Sequence, residues 1–199
     1  MADVKGKLVL IVGPSGSGKG SIIRELRAKH PDWVYPISFT TRARREGEEN
    51  GLVYNFISRE EFEKGIASGR FLEHAIVHGY DYYGTDGDTI LAALGEGKII
   101  VREVDMQGFH SIRNKVLSGE VVGLSSANFM SIFVEIKSFE ELKERILKRG
   151  EMSPEELARR MESARKEIAQ ADDCTFRIVN ENGRLGESVD KVEKMILGE

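Results

Sequence analysis

The feature that most constrains the fold of this chain is a glycine-rich loop between an apolar run and a helical segment. Residues 8–12 are all apolar and have the length of a buried strand, and residues 22–26 continue the chain as the start of a helix. The loop between them is Gly13-Pro14-Ser15-Gly16-Ser17-Gly18-Lys19-Gly20-Ser21. Glycines let backbone N–H groups turn inward around a polyphosphate, and a helix N-terminus adds partial positive charge. The segment therefore predicts a strand, a phosphate-binding loop and a helix in succession.

One position of the loop departs from the usual phosphate-loop pattern. Lys19 supplies a full positive charge for the terminal phosphates, but the next residue is Gly20, where Ser or Thr commonly supplies a hydroxyl to Mg²⁺. The hydroxyl comes one residue later, at Ser21. We therefore expect metal binding to depend on other groups or on water.

Length and composition narrow the class of protein. A chain of 199 residues predicts one domain, or a core with small inserts. Its apolar runs have only the length of strands, so we expect no membrane span. The N-terminal segment, residues 1–6, is short and polar, so we expect no signal peptide. Cys174 is the only cysteine, and the net charge of −4 argues against non-specific nucleic-acid binding. We expect a cytoplasmic protein, and the sequence leaves the choice between a monomer and a homo-oligomer open.

Candidate strands and helices alternate at both ends of the chain, which predicts an α/β fold with a parallel sheet and helices on both faces. Residues 33–84 are rich in Thr, Tyr, Phe and charge, and they predict a small strand-dominated insert for a second substrate. Ser58, Ser138 and Ser153 stand where helix N-caps are expected. The candidate strands are 7–12, 34–40, 53–57, 71–77, 99–104, 131–136 and 176–179, and the candidate helices are 19–29, 59–68, 86–94, 106–117, 139–149, 154–171 and 187–197.

Three arginines lie close together at the end of a predicted strand. Arg42, Arg44 and Arg45 form a compact cationic patch, and Arg binds phosphate through a planar, bidentate fork. The acids at 46, 48 and 49 allow a second interpretation, a solvated charge cluster. The neighbouring phosphate loop favours an anionic second substrate.

Several segments, in one order along nearly the whole chain, resemble guanylate kinase. The resemblance implies the reaction of ATP with GMP (and dGMP) to give ADP and GDP, on a three-layer α/β/α core with a mixed α+β GMP-binding insert and a helical lid. It implies a core at 1–32, 86–140 and 172–199, a GMP-binding domain at 33–85 and a lid at 141–171. After the phosphate loop the matching segments are Thr40-Thr41-Arg42-x-x-Arg45-x-Gly47-Glu48, Tyr54-Asn55-Phe56, Phe71-Leu72-Glu73-His74-Ala75, Tyr82-Tyr83-Gly84-Thr85, Val104-Asp105-Met106-Gln107-Gly108, Arg149-Gly150 and Ile178-Val179-Asn180.

The resemblance also assigns roles to residues. It implies catalytic roles for Lys19, Arg42, Arg145, Arg149 and Arg160, and ATP binding by Gly13, Pro14, Ser15, Gly16, Ser17, Gly18, Lys19, Gly20, Ser21 and Asn180. It implies GMP binding by Ser38, Arg42, Arg45, Tyr54, Glu73, Tyr83, Thr85 and Asp105. Mg²⁺ is the implied cofactor, with Ser21, Glu103 and Asp105 near it, mainly through water. Tyr54 and Tyr83 could equally be packing residues, and Asn180 could be a loop cap.

The chemistry of the purine edge agrees with these assignments. Guanine presents an N1–H and a 2-amino group beside O6, so a carboxylate such as Glu73 can accept from both nitrogens. Adenine has an acceptor at N1 and no 2-amino group, and would leave a buried Glu73 unpaired at a cost of about 1–3 kcal/mol. The accepting phosphate of GMP is already mostly ionised near neutrality, so we expect positioning and charge neutralisation without a general base.

Some positions depart from the family pattern. Arg44 replaces a usual Pro, and Arg102-Glu103-Val104-Asp105 replaces Leu-Asp-Ile-Asp, so we expect Arg102 to pair with an acid or to reach the surface. One additional residue at 79–84 leaves open whether Tyr82 or Tyr83 meets the GMP phosphate. Two other functions stay open at this stage: a guanylate-kinase-like module that binds phosphopeptides, and a kinase for another small phosphate such as a ribose bisphosphate.

Overall fold

The computed structural model describes residues 6–77, 80–148, 150 and 152–199. These residues form two four-stranded sheets with helices around them. In chain order the elements are β1 (Lys7–Val12), α1 (Lys19–Lys29), β2 (Phe39–Thr40), β3 (Asn55–Phe56), α2 (Arg59–Ala67), β4 (Phe71–Val77), β5 (Asp81–Asp86), α3 (Gly87–Gly95), β6 (Ile99–Glu103), α4 (Met106–Leu117), β7 (Phe129–Glu135), α5 (Phe139–Leu147), α6 (Pro154–Ile168), a 3₁₀ turn (Ala171–Asp173), β8 (Phe176–Val179) and α7 (Leu185–Leu197).

The core sheet is parallel, in the order β6-β1-β7-β8, which confirms the predicted α/β class. Side chains of β1 alternate between its two faces. Leu8 and Leu10 pack with helices α3 and α4 on one face, whereas Val9 and Ile11 pack with α1 and α7 on the other. All four side chains are fully buried, and each such burial stabilises the fold by about 1.5–3 kcal/mol.

The parallel strands bring the chemistry-bearing loops to one edge of the core sheet. The phosphate loop follows β1, Glu103 ends β6, and Asn180 follows β8. Carboxyl ends of parallel strands meet at the same edge of a sheet, which is where open α/β sheets bind ligands. The topology thus gathers residues that lie up to 167 positions apart in the sequence, from Gly13 to Asn180.

The second sheet is the insert, in the order β3-β2-β5-β4, with both parallel and antiparallel pairs. Strand β5 is not among the predicted strands, which pass from 71–77 directly to 99–104. The predicted strand 34–40 is wrong over most of its length: only β2 is strand, and Val34 forms an isolated bridge with Ile100 of the core sheet. Pro36, which lacks an N–H, stands where the chain crosses between the two sheets.

Helix starts follow the predicted caps. Ser58 forms a capping box with Glu61, and the hydroxyls of Ser138 and Ser153 accept from backbone N–H groups in the first turns of α5 and α6.

Helices α5 and α6 pack together through buried Leu142, Ile146 and Ala164, among others. Helix α6 ends at residue 168, earlier than predicted, and position 149 of the predicted lid helix lies outside the described residues. Within the described ranges no helix is long and apolar enough to cross a bilayer.

Candidate functional site

A cleft of about 590 Å³ separates the phosphate loop from the insert sheet. Lys19 lies at its core side, where Nζ donates to the carbonyl oxygens of Gly13 (2.5 Å) and Pro14 (3.0 Å). Its ammonium also lies 3.6 Å from Oε1 of Glu103. The positive charge expected for terminal phosphates is therefore held against the loop that would bind them.

Two glycines of the loop are required by their surroundings. Gly13 has φ +140°, and a Cβ there would lie 2.5 Å from the carbonyl oxygen of Val134. Gly18, the N-cap of α1, has φ +97°, and a Cβ would lie 2.2 Å from Nδ2 of Asn180. Larger residues at either position would strain the backbone and displace a neighbour.

A second pocket of about 280 Å³ lies on the other side of the loop, beside Asn180 and Arg145. Asn180 donates through Nδ2 to the carbonyl oxygen of Ser17 at 2.8 Å. Asn180 Oδ1 and Ser17 Oγ are buried, and neither has a hydrogen-bond partner among the residues that the structure describes. The pocket therefore lies beside polar atoms that keep unused hydrogen-bonding capacity.

Arg145 of α5 joins the predicted lid to the phosphate loop. Its Nη1 donates to the carbonyl oxygen of Ser17 at 3.1 Å, and its Nη2 donates to the carbonyl oxygen of Asn180 at 2.6 Å and contacts Glu141. Its Nε donates to Asn182 at 2.9 Å. The side chain thus supports the loop from outside the cleft, which sequence reasoning did not anticipate.

The predicted phosphate-binding arginines lie on the insert. Arg42 donates to both carboxylate oxygens of Glu48, at 2.7 and 2.9 Å, and its guanidinium lies over the ring of Tyr54. Glu48 also accepts from the backbone N–H of Arg45, and these contacts, led by that of Arg42, lower the pKa of Glu48. The side chains of Arg45 and Arg44 are exposed. Glu48 therefore holds Arg42 in place, a role that the sequence interpretation missed although the acid stands in the matching motif.

Strand alternation separates the two tyrosines that the sequence left undecided. Tyr83 lines the cleft and meets Tyr54 edge-on, with ring centroids 5.5 Å apart. Tyr82 points to the other face, where it stacks on Phe62 with centroids 5.0 Å apart. Only Tyr83 of the pair is placed to contact a ligand in the cleft.

The predicted guanine-reading residues lie together at the inner end of the insert. Glu73 on β4 is 9% exposed, and its Oε1 accepts from the hydroxyl of Thr85 at 2.5 Å. Burial raises the pKa of Glu73, while the Thr85 bond and the charge of Arg102 oppose that rise. Gly108 at the start of α4 leaves room beside the carboxylate, since a Cβ there would lie 3.5 Å from Glu73 Oε2.

Arg102 occupies this same region. Its Nε donates to Thr85 Oγ1 at 3.1 Å, its Nη1 to the carbonyl oxygen of Pro36 at 3.1 Å and its Nη2 to Ser38 Oγ at 2.5 Å. We expected Arg102 to pair with an acid or to reach the surface. Within the described ranges no ion pair involves it, but it is half-buried and lines the cleft, so part of its side chain is exposed there. Burial lowers its pKa, against the raising effect of the nearby Glu73 charge.

The acids at the end of β6 lie close to the phosphate loop. Glu103 is exposed to the cleft, and a Cβ on Gly20 would lie 3.6 Å from its Oε2. Asp105 lines the cleft and caps α4 by accepting from the Gly108 N–H at 2.7 Å. Over the described part of the chain, no three His, Cys, Asp or Glu side chains converge to hold a metal. A metal here would therefore need oxygen ligands from hydroxyls, water or substrate as well.

Of the remaining predicted lid residues, the structure describes only Arg160, on α6. Arg160 is paired with Glu156, Nε to Oε1 2.8 Å, and Arg149 lies outside the described residues. Glu167, two turns after Arg160, also lines the cleft, and burial raises its pKa against the charge of Lys19. Sequence reasoning missed Glu167; the seven-residue spacing from Arg160 on one helix face was the available signal.

Comparisons with known proteins agree with this architecture. The guanylate kinase family model matches residues 5–199. The chain is 42% identical over 197 residues to a guanylate kinase of Clostridium perfringens (strain 13 / Type A), covering 99% of this chain and 85% of the relative. It is 44% identical over 177 residues to a guanylate kinase of Trichormus variabilis, covering 89% and 83%. The crystal structure of guanylate kinase from Anaplasma phagocytophilum superposes with a TM-score of 0.71 at 25% identity, covering 97% of this chain and 85% of that one.

Proposed function

This chain belongs to the guanylate kinase family and is an ATP:GMP phosphotransferase, and we propose that the transfer takes place in the cleft between the phosphate loop and the insert sheet. The observation that carries the proposal is that Lys19 and the purine-edge candidates Ser38 and Glu73 line one continuous cleft. The two earlier alternatives, a phosphopeptide-binding module and a kinase for another small phosphate, are not favoured, because relatives named guanylate kinase match almost the whole chain.

On the donor side, ATP binds the loop. Lys19 and the inward backbone N–H groups hold the β- and γ-phosphates, and the N-terminal end of α1 adds partial positive charge. Asn180 and the pocket beside it receive the adenine. Support comes from Asn180 Oδ1, a buried acceptor without a partner in the described structure, which suits an amino group once the pocket adjusts. The binding residues on this side are Gly13, Pro14, Ser15, Gly16, Ser17, Gly18, Lys19, Gly20, Ser21 and Asn180.

On the acceptor side, GMP or dGMP binds the insert. Arg42 and Arg45 hold its phosphate with Tyr54 and Tyr83, and Glu48 releases or shares Arg42 when the phosphate arrives. Glu73, Ser38, Thr85 and Asp105 bind the base. Burial raises the pKa of Glu73, and the N1–H and 2-amino groups of guanine would supply donors to this buried carboxylate.

Charge neutralisation supplies the chemistry. The acceptor is an already ionised phosphate oxygen, so positioning and cationic side chains suffice. Arg149 and Arg160 of the lid screen the transferring group when the lid closes, and the closed lid excludes water that would otherwise hydrolyse ATP. The contacts of Arg145 with the loop suggest that it couples the position of α5 to that of the ATP phosphates.

Kinases that use ATP generally need a divalent metal, and the residues present suit Mg²⁺. The carboxylate of Glu103 lies beside Gly20 and Lys19, and carboxylate, hydroxyl and water oxygens are the ligands that Mg²⁺ prefers. Glu103 and Asp105, which line the cleft, would hold the ion, largely through water, and the ion would neutralise charge on the phosphates. Ser21, the third predicted metal residue, lines the second pocket on the other side of the loop and would reach the ion only through water or substrate.

The three parts have separate tasks. We assign the core to 1–32, 86–140 and 172–199, the GMP-binding domain to 33–85 and the lid to 141–171. The insert sheet and the packed pair α5 and α6 support these divisions. The cytoplasm is the proposed compartment, since it supplies both nucleotides and keeps thiols such as buried Cys174 reduced.

A coupled assay of ADP release tests the function. With ATP fixed, GMP, dGMP, AMP, UMP and ribose bisphosphate are compared as acceptors, and GMP and dGMP should exceed all others in kcat/KM. Lys19→Ala and Arg149→Ala should abolish turnover with the melting temperature retained. Preference for another acceptor would overturn the proposal, and near-normal turnover of either variant would remove that residue from the mechanism.

A further inference from the structure

Arg102 is placed unlike any other cation of the core sheet. It belongs to β6, whose neighbouring residues Ile100 and Val101 are almost fully buried. Strand alternation puts its side chain on the same face as Ile100. From there the guanidinium reaches the inner end of the cleft and joins the core sheet to the insert.

The hydrogen bonds of Arg102 dictate the direction of its neighbours' protons. A guanidinium only donates, so the hydroxyl oxygens of Thr85 and Ser38 both act as acceptors toward it. Each hydroxyl must then direct its own proton elsewhere. The proton of Thr85 goes to Glu73 Oε1, whereas within the described residues nothing accepts the proton of Ser38.

The wall of the cleft therefore presents a hydrogen-bond acceptor at one point and a hydrogen-bond donor at another. Glu73 presents a carboxylate, which accepts. Ser38, whose oxygen lies 2.5 Å from Nη2 of Arg102, presents a donor beside a positive charge. Ser38, Glu73 and Arg102 all line the cleft, so one planar base can face both the acceptor and the donor.

We propose that Arg102 is a specificity-determining residue: it occupies one lone pair of the Ser38 hydroxyl, leaves the hydroxyl proton free for the base and adds a positive charge beside it, and thereby selects a 6-oxopurine at the acceptor site. The proposal rests on the proposed function and divides the recognition of guanine in two. Glu73 reads the N1–H and the 2-amino group, while Arg102 and Ser38 read O6. A 6-aminopurine would bring its 6-amino group, a donor, against the Ser38 proton and the Arg102 charge, and this disfavours it independently of Glu73.

A substrate-by-variant cycle tests this division. The substrates are GMP, 6-thio-GMP, which replaces O6 by a weakly accepting sulfur, and IMP, which keeps O6 and lacks the 2-amino group. The enzymes are the wild type, Arg102→Leu, Arg102→Lys and the exposed-surface control Arg24→Leu. Values of kcat/KM are measured for each pair, with melting temperatures for every variant.

The expected result is a loss of selectivity confined to the O6 edge. In Arg102→Leu the ratio of kcat/KM for GMP to kcat/KM for 6-thio-GMP should fall at least about fivefold, because the variant loses a charge-assisted hydrogen bond. The GMP to IMP ratio should change by less than about twofold, Arg102→Lys should recover part of the first ratio, and Arg24→Leu should change neither.

The remaining outcomes distinguish a failure of the Arg102 proposal from a failure of the proposed function. An unchanged GMP to 6-thio-GMP ratio, or an equal fall of both ratios, would overturn the role of Arg102 while leaving guanylate kinase activity in place. A wild type that does not phosphorylate GMP would instead overturn the proposed function. Should Arg102→Leu not fold, Arg102→Met carries the test, because it removes the guanidinium and keeps an unbranched side chain: the same selective fall is expected, and an unchanged ratio would refute the proposal.

Discussion

Replacing Glu73 by Gln should convert a selective acceptor site into a weak one. The side chain is 9% exposed, and Oε1 already accepts a hydrogen bond from Thr85 at 2.5 Å. The remaining acceptor capacity, chiefly Oε2 beside Gly108, is what a base in the cleft can use. Gln keeps the shape and one acceptor oxygen, but it presents an NH₂ group where the second guanine donor needs an acceptor.

The expected loss follows from one charge-assisted hydrogen bond. Such a bond contributes about 1.5–3 kcal/mol, and about 1.4 kcal/mol corresponds to a factor of ten. The kcat/KM for GMP should therefore fall by about 10- to 150-fold. The value for AMP should stay the same or rise, because an amide can donate to N1 of adenine where a carboxylate cannot.

Steady-state kinetics with GMP and AMP at saturating ATP give both values, and the KM for ATP reports on the other substrate site. Glu60→Gln is the matched control, since Glu60 lies on the surface of α2 with 79% of its side chain exposed. A decrease of less than threefold for GMP, or a parallel decrease for AMP, would refute the assignment of Glu73 to the purine edge.

Three further predictions concern the phosphate loop, the insert and pH. Gly18→Ala should weaken ATP binding at least tenfold and leave the GMP Kd within twofold in calorimetry, because φ is +97° and the Cβ would collide with Asn180. Glu48→Gln should raise the KM for GMP about tenfold with a smaller change in kcat, because Arg42 loses a charge-assisted partner; an unchanged KM would contradict this. Burial raises the pKa of Glu73, so this carboxylate becomes protonated at a higher pH than an exposed one would. As pH is lowered, kcat/KM for GMP should therefore fall twice, once as the GMP phosphate is protonated at a pKa of about 6 and once as Glu73 is protonated. Glu73→Gln removes one step, so the limiting acid slope of log kcat/KM against pH should drop from 2 toward 1.

The parts of the fold that local sequence determines were predicted closely. Strand β1 and helices α1 and α4 have the predicted bounds, since an apolar run, a glycine-rich loop and helical spacing each act within a few residues. The caps Ser58, Ser138 and Ser153 were also correct, because a hydroxyl and the N–H three residues later need no distant partner. The family resemblance rested on the same kind of short, ordered motif.

Other features were decided only when distant segments met. Strands β2 and β3 have two residues each, and such short strands persist only when a neighbouring strand supplies their hydrogen bonds. Strand β5 is longer, but it forms by pairing with β4 and β2, and the sequence of residues 81–86 gives no apolar run to predict it. Tyr82 and Tyr83 were separated by the pleat of β5, which sends adjacent side chains to opposite faces. Glu167 reached the cleft only through the packing of α6.

Arg102 shows the difference most clearly. Its sequence context, an apolar strand, says that a charge there must find partners, but not which ones. Its partners Pro36, Ser38 and Thr85 lie 66, 64 and 17 residues away. The local sequence determined the phosphate loop and the strand and helix on either side of it. The side chains that meet in the acceptor pocket were decided only by the tertiary structure, because hydrogen bonds between the two sheets depend on proximity in space and not on spacing along the chain.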